Sequence, residues 1–202
     1  MSWLLAALYD PMMKAAEDAC LAAWRAELLA PLSGAVLEIG AGTGANLARY
    51  PKTITRLVLA EPDRAMRRRL AARAVGRARE VIGAAAENLP FADGAFDFVV
   101  STLVLCSVRD PAAALAEMRR VLKPGGRLVF IEHVAATDNV GRLRWQKLLE
   151  PIWKPLMGNC HLTRRTAEAI RTAGFALDEV KRESLRKTIP IARPSVRGTA
   201  VR

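Results

Sequence analysis

The sequence predicts an α/β fold in which a mostly parallel sheet is covered by helices on both faces. Short, mostly apolar runs alternate with helical stretches, as strands buried on both faces require. The first run, Val36-Leu37-Glu38-Ile39, empties into the glycine-rich turn Gly40-Ala41-Gly42-Thr43-Gly44-Ala45-Asn46. Upstream, Trp3-Leu4-Leu5-Ala6-Ala7-Leu8 reads as an apolar helix ending at Tyr9-Asp10-Pro11, and 12–30 reads as a second, with Met13, Ala16, Cys20, Ala23, Trp24 and Leu28 at helical spacing. The turn is expected to open a helix that continues through 47–50 until Pro51 breaks it. A second strand over 56–60 ends at Glu61, a basic helix covers 64–75, and 81–83 forms a short third strand. The fourth strand, 95–100, finishes at Ser101-Thr102, and the helix over 111–121 stops at Lys123-Pro124-Gly125-Gly126. The fifth strand, 127–131, leads to Glu132-His133. The stretch 140–165 is apolar but interrupted by Pro151 and Pro155. A helix near 164–173 is capped by Gly174, and strands near 175–183 and 194–202 follow.

A chain of 202 residues with 51% hydrophobic content can bury one full core but not two. One domain is therefore expected, with helices at 1–33 over the site, a core at 34–135, a lid-like apolar insertion at 136–165 and a closing segment at 166–202. The net charge of +11 suits nucleic acid, an anionic membrane or neither. Seven arginines (Arg64, Arg67, Arg68, Arg69, Arg73, Arg77 and Arg79) fall on one expected helix without interleaved aromatics, so base stacking lacks support, and a solvated face is expected ahead of a contact with anionic lipid. Cys20, Cys106 and Cys160 show no paired spacing, which argues for a reducing, cytoplasmic setting. His133 and His161 are the only histidines. A metal site would have to gather ligands from distant segments, and none is expected. The N-terminal apolar run is too short to span a bilayer and has no basic leader, although its Trp and Leu residues suit packing or a lipid interface.

The glycine turn fits two ligands. Gly40, Gly42 and Ala45 satisfy a loose dinucleotide pattern, and Glu38, Gly40, Gly42 and Gly44 form the acid-and-glycine pattern suited to a ligand carrying an ammonium and a sulfonium. The acid favours the second, because a pyrophosphate needs positive potential. In a doubly wound sheet ligands sit beyond the carboxyl ends of the strands, which makes Glu61, 17 residues past Gly44, a candidate for ribose hydroxyls. Residues 86–91 are placed to wall an adenine, and 101–103 a methionine.

Glu38 to Gly44, Glu87-Asn88-Leu89-Pro90-Phe91, Phe96-Asp97 and Leu122-Lys123-Pro124-Gly125-Gly126 together resemble the class I methyltransferases that use S-adenosylmethionine. Within them, 102–108, 132–136, 159–164 and 198–201 resemble the small methyltransferase-like proteins that methylate thiols. The resemblance implies a Rossmann-like, mostly parallel seven-stranded sheet with an antiparallel C-terminal strand. It also implies cofactor contacts at Glu38, Gly40, Gly42, Gly44, Asn46, Glu61, Pro62, Ala86, Glu87, Ser101, Thr102 and Leu103. Two departures stand out. Ala85 occupies the place where many members hold the adenine amine with an acid, and Cys106-Ser107 stands where many small-molecule enzymes carry paired histidines.

The expected function is methyl transfer to a small, fairly apolar acceptor, a thiol first, leaving S-adenosylhomocysteine. A thiol of pKa about 8.5 needs only a nearby acceptor or cation. His133 is the first candidate for that role, Cys106 a candidate pocket wall, and Cys160 and His161 alternatives in the tail. Trp145 to Met157 is read as core packing, an apolar lid or a membrane-facing surface. The rival functions are phospholipid headgroup N-methylation, noncatalytic binding to an anionic surface and, least favoured, nicotinamide-dependent oxidoreduction. Nucleic acid is not an expected partner, and the oligomeric state stays open.

Overall fold

The computed structural model describes residues 3–75 and 80–202, with backbone only for Trp3 to Leu5; Arg77 and Arg79 of the arginine cluster lie outside this set. Seven strands form one sheet: β1 (Gly34–Ile39), β2 (Ile54–Ala60), β3 (Glu80–Ile82), β4 (Phe96–Thr102), β5 (Leu122–His133), β6 (Ala176–Ser184) and β7 (Pro194–Val201). Their order is β3-β2-β1-β4-β5-β7-β6. The first five run parallel, and β7 alone lies antiparallel, between β5 and β6. The reversal of strand order falls between β1 and β4, at whose carboxyl ends a doubly wound sheet holds its ligands.

Side-chain alternation along the strands splits the core into two layers. Leu37, Leu128 and Phe130 pack under α4 (Pro111–Val121) and α6 (Thr166–Thr172) with Leu115, Met118 and Ile170. Val36, Val129 and Ile131 face the other way, toward Leu21, Leu29 and Leu70. These side chains are buried almost completely, and each contributes about 1.5–3 kcal/mol of apolar transfer.

The helices differ from the sequence reading in three places. The N-terminal pair is one continuous helix: α1 (Trp3–Ala16) runs through Pro11 into a π-helical turn (Glu17–Leu21) and then α2 (Ala22–Leu29). Proline removes only one N–H, and contacts of Asp10 hold the segment in place. The glycine turn opens no α-helix; it passes through turns into a single 3-10 turn, Leu47–Arg49, before Pro51. Positive φ at Gly40, Gly42 and Gly44 spends the segment on reversals rather than helical pitch. Finally, α5 (Val140–Leu156) continues through Pro151 and Pro155. Both prolines are exposed, so water can take the carbonyls they free. The remaining helix, α3 (Arg64–Ala74), follows the expected bounds and is capped by Asp63, whose carboxylate accepts from Ala65 and Met66.

Gly198 marks the tightest point of the sheet. It sits in β7 where the register with β6 shifts between Leu177 and Val180, and a Cβ there would lie 1.8 Å from the Glu179 carbonyl oxygen. Gly198→Ala is expected to destabilise the fold by about 2 kcal/mol or more, since backbone rather than a flexible side chain must yield. Urea unfolding checks this; an unchanged midpoint would contradict the close approach.

Candidate active site

The carboxyl ends of β1, β2, β4 and β5 form a crest built around buried acids. Glu38, in β1, is buried and accepts from Asn46 Nδ2 at 2.9 Å and from the Tyr50 hydroxyl at 2.7 Å. Burial pushes its carboxyl up to about 7, against the pull of Tyr50, Asn46 and the Arg25 guanidinium. Arg25 of α2 donates to Asn46 Oδ1 at 2.9 Å and Thr102 Oγ1 at 2.8 Å, and its Nε is held by Glu17 Oε1 at 3.0 Å. The π turn that carries Glu17 therefore joins the N-terminal helix to the glycine turn and to the end of β4.

The glycine turn leaves a surface open to a ligand. A Cβ at Gly40 would strike Val104 at 2.5 Å and one at Gly44 would strike Leu47 at 2.5 Å, but at Gly42 the nearest atom is 3.9 Å away. Gly42 has φ +57, so a side chain would be strained there and would also fill that space. Its N–H donates to Glu61 Oε2 at 2.8 Å, and Glu61 Oε1 accepts from Asp63 N at 2.8 Å. Glu61, just past β2, keeps further lone pairs for ligand hydroxyls. Desolvation raises its pKa, and those two backbone N–H groups oppose the rise. Helix α1 lies beside the turn: Asp10 accepts from Thr43 Oγ1 at 2.5 Å and pairs with Arg73 at 2.5 Å, while Arg73 also donates to the Thr43 carbonyl. Arg67 donates to the Glu61 and Pro62 carbonyls. Two arginines of the expected solvated face thus brace this turn, leaving Arg64, Arg68 and Arg69 exposed. Arg67 and the exposed Arg73 reach these carbonyl and carboxylate acceptors along the surface of the turn.

Beyond β4 the chain passes through Leu103, which has φ +61. That left-handed step is rare for leucine and starts a loop in which three successive N–H groups turn to one acid. Glu132, fully buried in β5, accepts from Ser101 Oγ at 2.8 Å, from the backbone N of Val104 and Leu105 at 3.0 Å each, and from Cys106 N at 3.1 Å. Burial raises its pKa against these four donors. Residues 158–164 close on the same loop: His161 N donates to the Cys106 carbonyl at 2.8 Å, Asn159 Nδ2 to the Ser107 carbonyl at 2.8 Å, and Arg164 to the Leu105 and Val108 carbonyls.

That closure assembles a cluster. Cys160 Sγ lies 3.8 Å from Cys106 Sγ and 3.6 Å from His133 Nδ1. Cys106 and His133 are buried and Cys160 is partly exposed. The neighbouring Cys106 thiol, and then His133, draw Cys160 toward its thiolate, while Cys106 is held protonated. Tyr9 of α1 comes close as well; burial raises its phenol to about 12, with Arg25 opposing and the two sulfurs adding to the rise.

Of the residues singled out in the sequence, Glu38, Asn46, Thr102, the glycines and Glu61 converge on the turn, and Ser101 and Leu103 continue that rim. Ala86 is buried beyond β3, and Glu87 accepts from Arg109 N at 2.8 Å, so its carboxylate also ties loops together. His133 and Cys106 meet across β5 and β4. His161 does not join them; it faces Glu150 at 3.4 Å. Loop closure gathers Cys106, His133 and Cys160, which come from segments distant in the sequence, to within 4.8 Å of one another. Glu132, Arg25, Tyr50, Arg164 and Tyr9 were not singled out. Only Glu132 had a signal, its place at the end of a strand.

Residues 37–130 match the family profile described as a methyltransferase domain. The chain is 38% identical over 173 residues to thiol S-methyltransferase TMT1B of Rattus norvegicus, covering 83% of this chain and 70% of the relative. It is 36% identical over the same shares to thiol S-methyltransferase TMT1A of Homo sapiens. The fold is similar to an S-adenosylmethionine-dependent methyltransferase of Mesorhizobium loti, with a TM-score of 0.67 and 21% identity over 95% of this chain and 100% of the other.

The raised pKa of Glu38 sets a pH dependence. The folded state holds the proton to about pH 7, whereas the unfolded carboxyl releases it near its ordinary 4.5, so this group's contribution to stability is full below 4.5 and is lost as pH rises through 7. Glu38→Gln keeps the shape, and the Tyr50 hydroxyl can turn to accept from the amide. Between pH 5 and pH 8 the wild type should lose stability relative to Glu38→Gln by about 2–3 kcal/mol in urea unfolding. A pH-independent difference would contradict it.

Proposed function

The chain belongs to the S-adenosylmethionine-dependent methyltransferases, and from that premise we propose that it methylates a small, fairly apolar thiol. The observation that supports this reading is the partly exposed Cys160 beside His133 and Cys106, at the end of the crest next to the glycine turn. A site already furnished with sulfur and imidazole favours a soft, uncharged acceptor over an amine that must arrive as a cation. The likeness to relatives named as thiol S-methyltransferases points the same way.

The cofactor supplies an electrophilic methyl on a sulfonium. The residues fit such a ligand: Gly42 leaves open surface, Glu61 retains acceptor capacity for ribose hydroxyls, and a bound cation would favour the ionised forms of Glu38 and Glu61. Ser101, Thr102 and Leu103 form the rim on the methionine side, and Pro62, Ala86 and Glu87 that of the adenine. In-line transfer needs alignment and exclusion of water. Helix α1 is pinned beside the turn by Asp10, which accepts from Thr43 and Arg73. His133, buried at the end of β5, is placed to accept from or orient the incoming thiol.

A second property rests on α5. Trp145, Leu148, Ile152 and Leu156 are 59–65% exposed along one stripe, so this helix is not the core element its apolar content suggests; Gln146 is its buried residue. Arg144 and Lys147 flank the stripe, and with the positive charge of the chain they suit a peripheral contact with anionic lipid. Among the described residues, no helix is long and apolar enough to cross a membrane.

Three outcomes check this reading. With labelled cofactor, methyl transfer is expected to an alkyl or aryl thiol, whereas transfer to phosphatidylethanolamine vesicles alone would overturn the thiol assignment. Glu61→Ala should weaken S-adenosylhomocysteine binding by about 1.5–3 kcal/mol in calorimetry, and an unchanged affinity would remove Glu61 from the cofactor site. Replacing Trp145, Leu148 and Ile152 together by serine should abolish cosedimentation with phosphatidylserine vesicles; retained binding would exclude α5 as the lipid contact.

A further inference from the structure

We propose that Cys106, Cys160 and His133 form a binding site for a single zinc ion, with a fourth coordination position left for an acceptor thiolate. Zinc binds thiolate at about 2.3 Å and imidazole at about 2.0–2.1 Å. A tetrahedron with those lengths sets two sulfurs about 3.8 Å apart and sulfur and nitrogen about 3.6 Å apart. The corresponding distances here are 3.8 Å from Cys160 to Cys106 and 3.6 Å from Cys160 Sγ to His133 Nδ1. The three ligand atoms lie within 4.8 Å of one another, so a small turn of one side chain closes the third edge.

The surroundings hold the ligands in place. Glu132 fixes the backbone N of Cys106 and precedes His133 in the same strand. The backbone of His161 donates to the Cys106 carbonyl, which locks the segment carrying Cys160 against the segment carrying Cys106. His133 Nε2 is buried without a partner among the described residues. With Nδ1 on a cation the remaining ring proton would sit on Nε2, while Nδ1 already faces Cys160 Sγ at 3.6 Å. Three protein ligands with an open fourth position is the arrangement of zinc sites that do chemistry, whereas structural sites use four. Cys160 is the partly exposed member, and the open position lies on its side of the cluster.

The chemical role of the open position rests on the thiol reading above. An acceptor thiol entering it loses its proton to water and binds as thiolate. Its sulfur then forms a bond to the donor methyl as the sulfonium carbon–sulfur bond breaks, and the neutral thioether, a weak ligand, leaves the cation. Zinc is neither oxidised nor reduced, and no other reagent enters.

The test is metal binding by the full chain, purified under reducing conditions, stripped with chelator and titrated with zinc alone. One equivalent is expected, with an X-ray absorption signature of two sulfur ligands and one nitrogen ligand from the protein. Cys160→Ser and His133→Gln should each weaken zinc binding by a hundredfold or more, whereas Cys20→Ser, remote from the cluster, should leave it unchanged. Retained S-adenosylhomocysteine binding shows that the variants are folded. Absence of zinc binding, equal binding by all variants, or an absorption signature without two sulfurs would overturn the site, as would a Cys106–Cys160 disulfide forming under these reducing conditions in place of metal uptake. Stoichiometric zinc together with methyl transfer only to a lipid amine would keep the site and overturn the thiol acceptor.

Discussion

The crest of this sheet depends on buried carboxylates that accept the hydrogen bonds its loops cannot make for themselves. Loops that cross the strand ends carry N–H groups with no ladder to enter, and leaving one buried and unpaired costs about 1–3 kcal/mol. Glu132 takes three such groups and a hydroxyl, Glu61 takes two, and Glu38 anchors Asn46 and Tyr50. Each acid stands at or next to the end of a parallel strand, so sheet register fixes its position to within a side chain. The same acids gather carboxyl oxygens beside the glycine turn, where a cation would favour their ionised forms.

The N-terminal helix is part of that device rather than an appendage. Arg25 reaches from α2 to Asn46 and Thr102, Asp10 from α1 to Thr43 and Arg73, and Tyr9 toward the sulfur cluster. Five residues of π helix between these contacts change the angular phase of the chain, so that Glu17 meets Arg25 while Cys20 and Leu21 stay in the core. Binding at the turn and order in the helix above it are thereby coupled through polar contacts, a weaker attachment than the apolar packing of the sheet.

Much of the architecture was legible in the residues because parallel strands buried on both faces announce themselves. Leu57 to Ala60 and Leu128 to Ile131 are apolar throughout, Val36 to Ile39 is apolar but for Glu38, and the helices over 64–74 and 111–121 carry caps at Asp63 and Asp110. The errors arose where local signals yielded to packing. Pro11, Pro151 and Pro155 read as breaks, yet each removes one hydrogen bond in a helix held by other contacts. The glycine turn read as a helix start, but three residues at positive φ used up its length. The stretch from Trp145 to Met157 read as core packing, a lid or a membrane-facing surface, because sequence periodicity shows that a helix has an apolar stripe but not whether another element covers it. The site was half legible: motif spacing placed Glu38, Glu61 and the glycines, while the meeting of Cys160 with Cys106 depends on backbone contacts between segments 54 residues apart. No local pattern encodes that distance.

The central claim is that one crest holds the methyl donor over Gly42 and presents its sulfur toward Cys106, Cys160 and His133. A crystal structure with S-adenosylhomocysteine bound tests it most directly. The account predicts ribose hydroxyls against the Glu61 carboxylate, adenine near Ala86 and the ligand sulfur turned toward the Cys160 side of the crest. A ligand whose ribose lies away from Glu61, or whose sulfur faces away from the cysteine and histidine cluster, would contradict it.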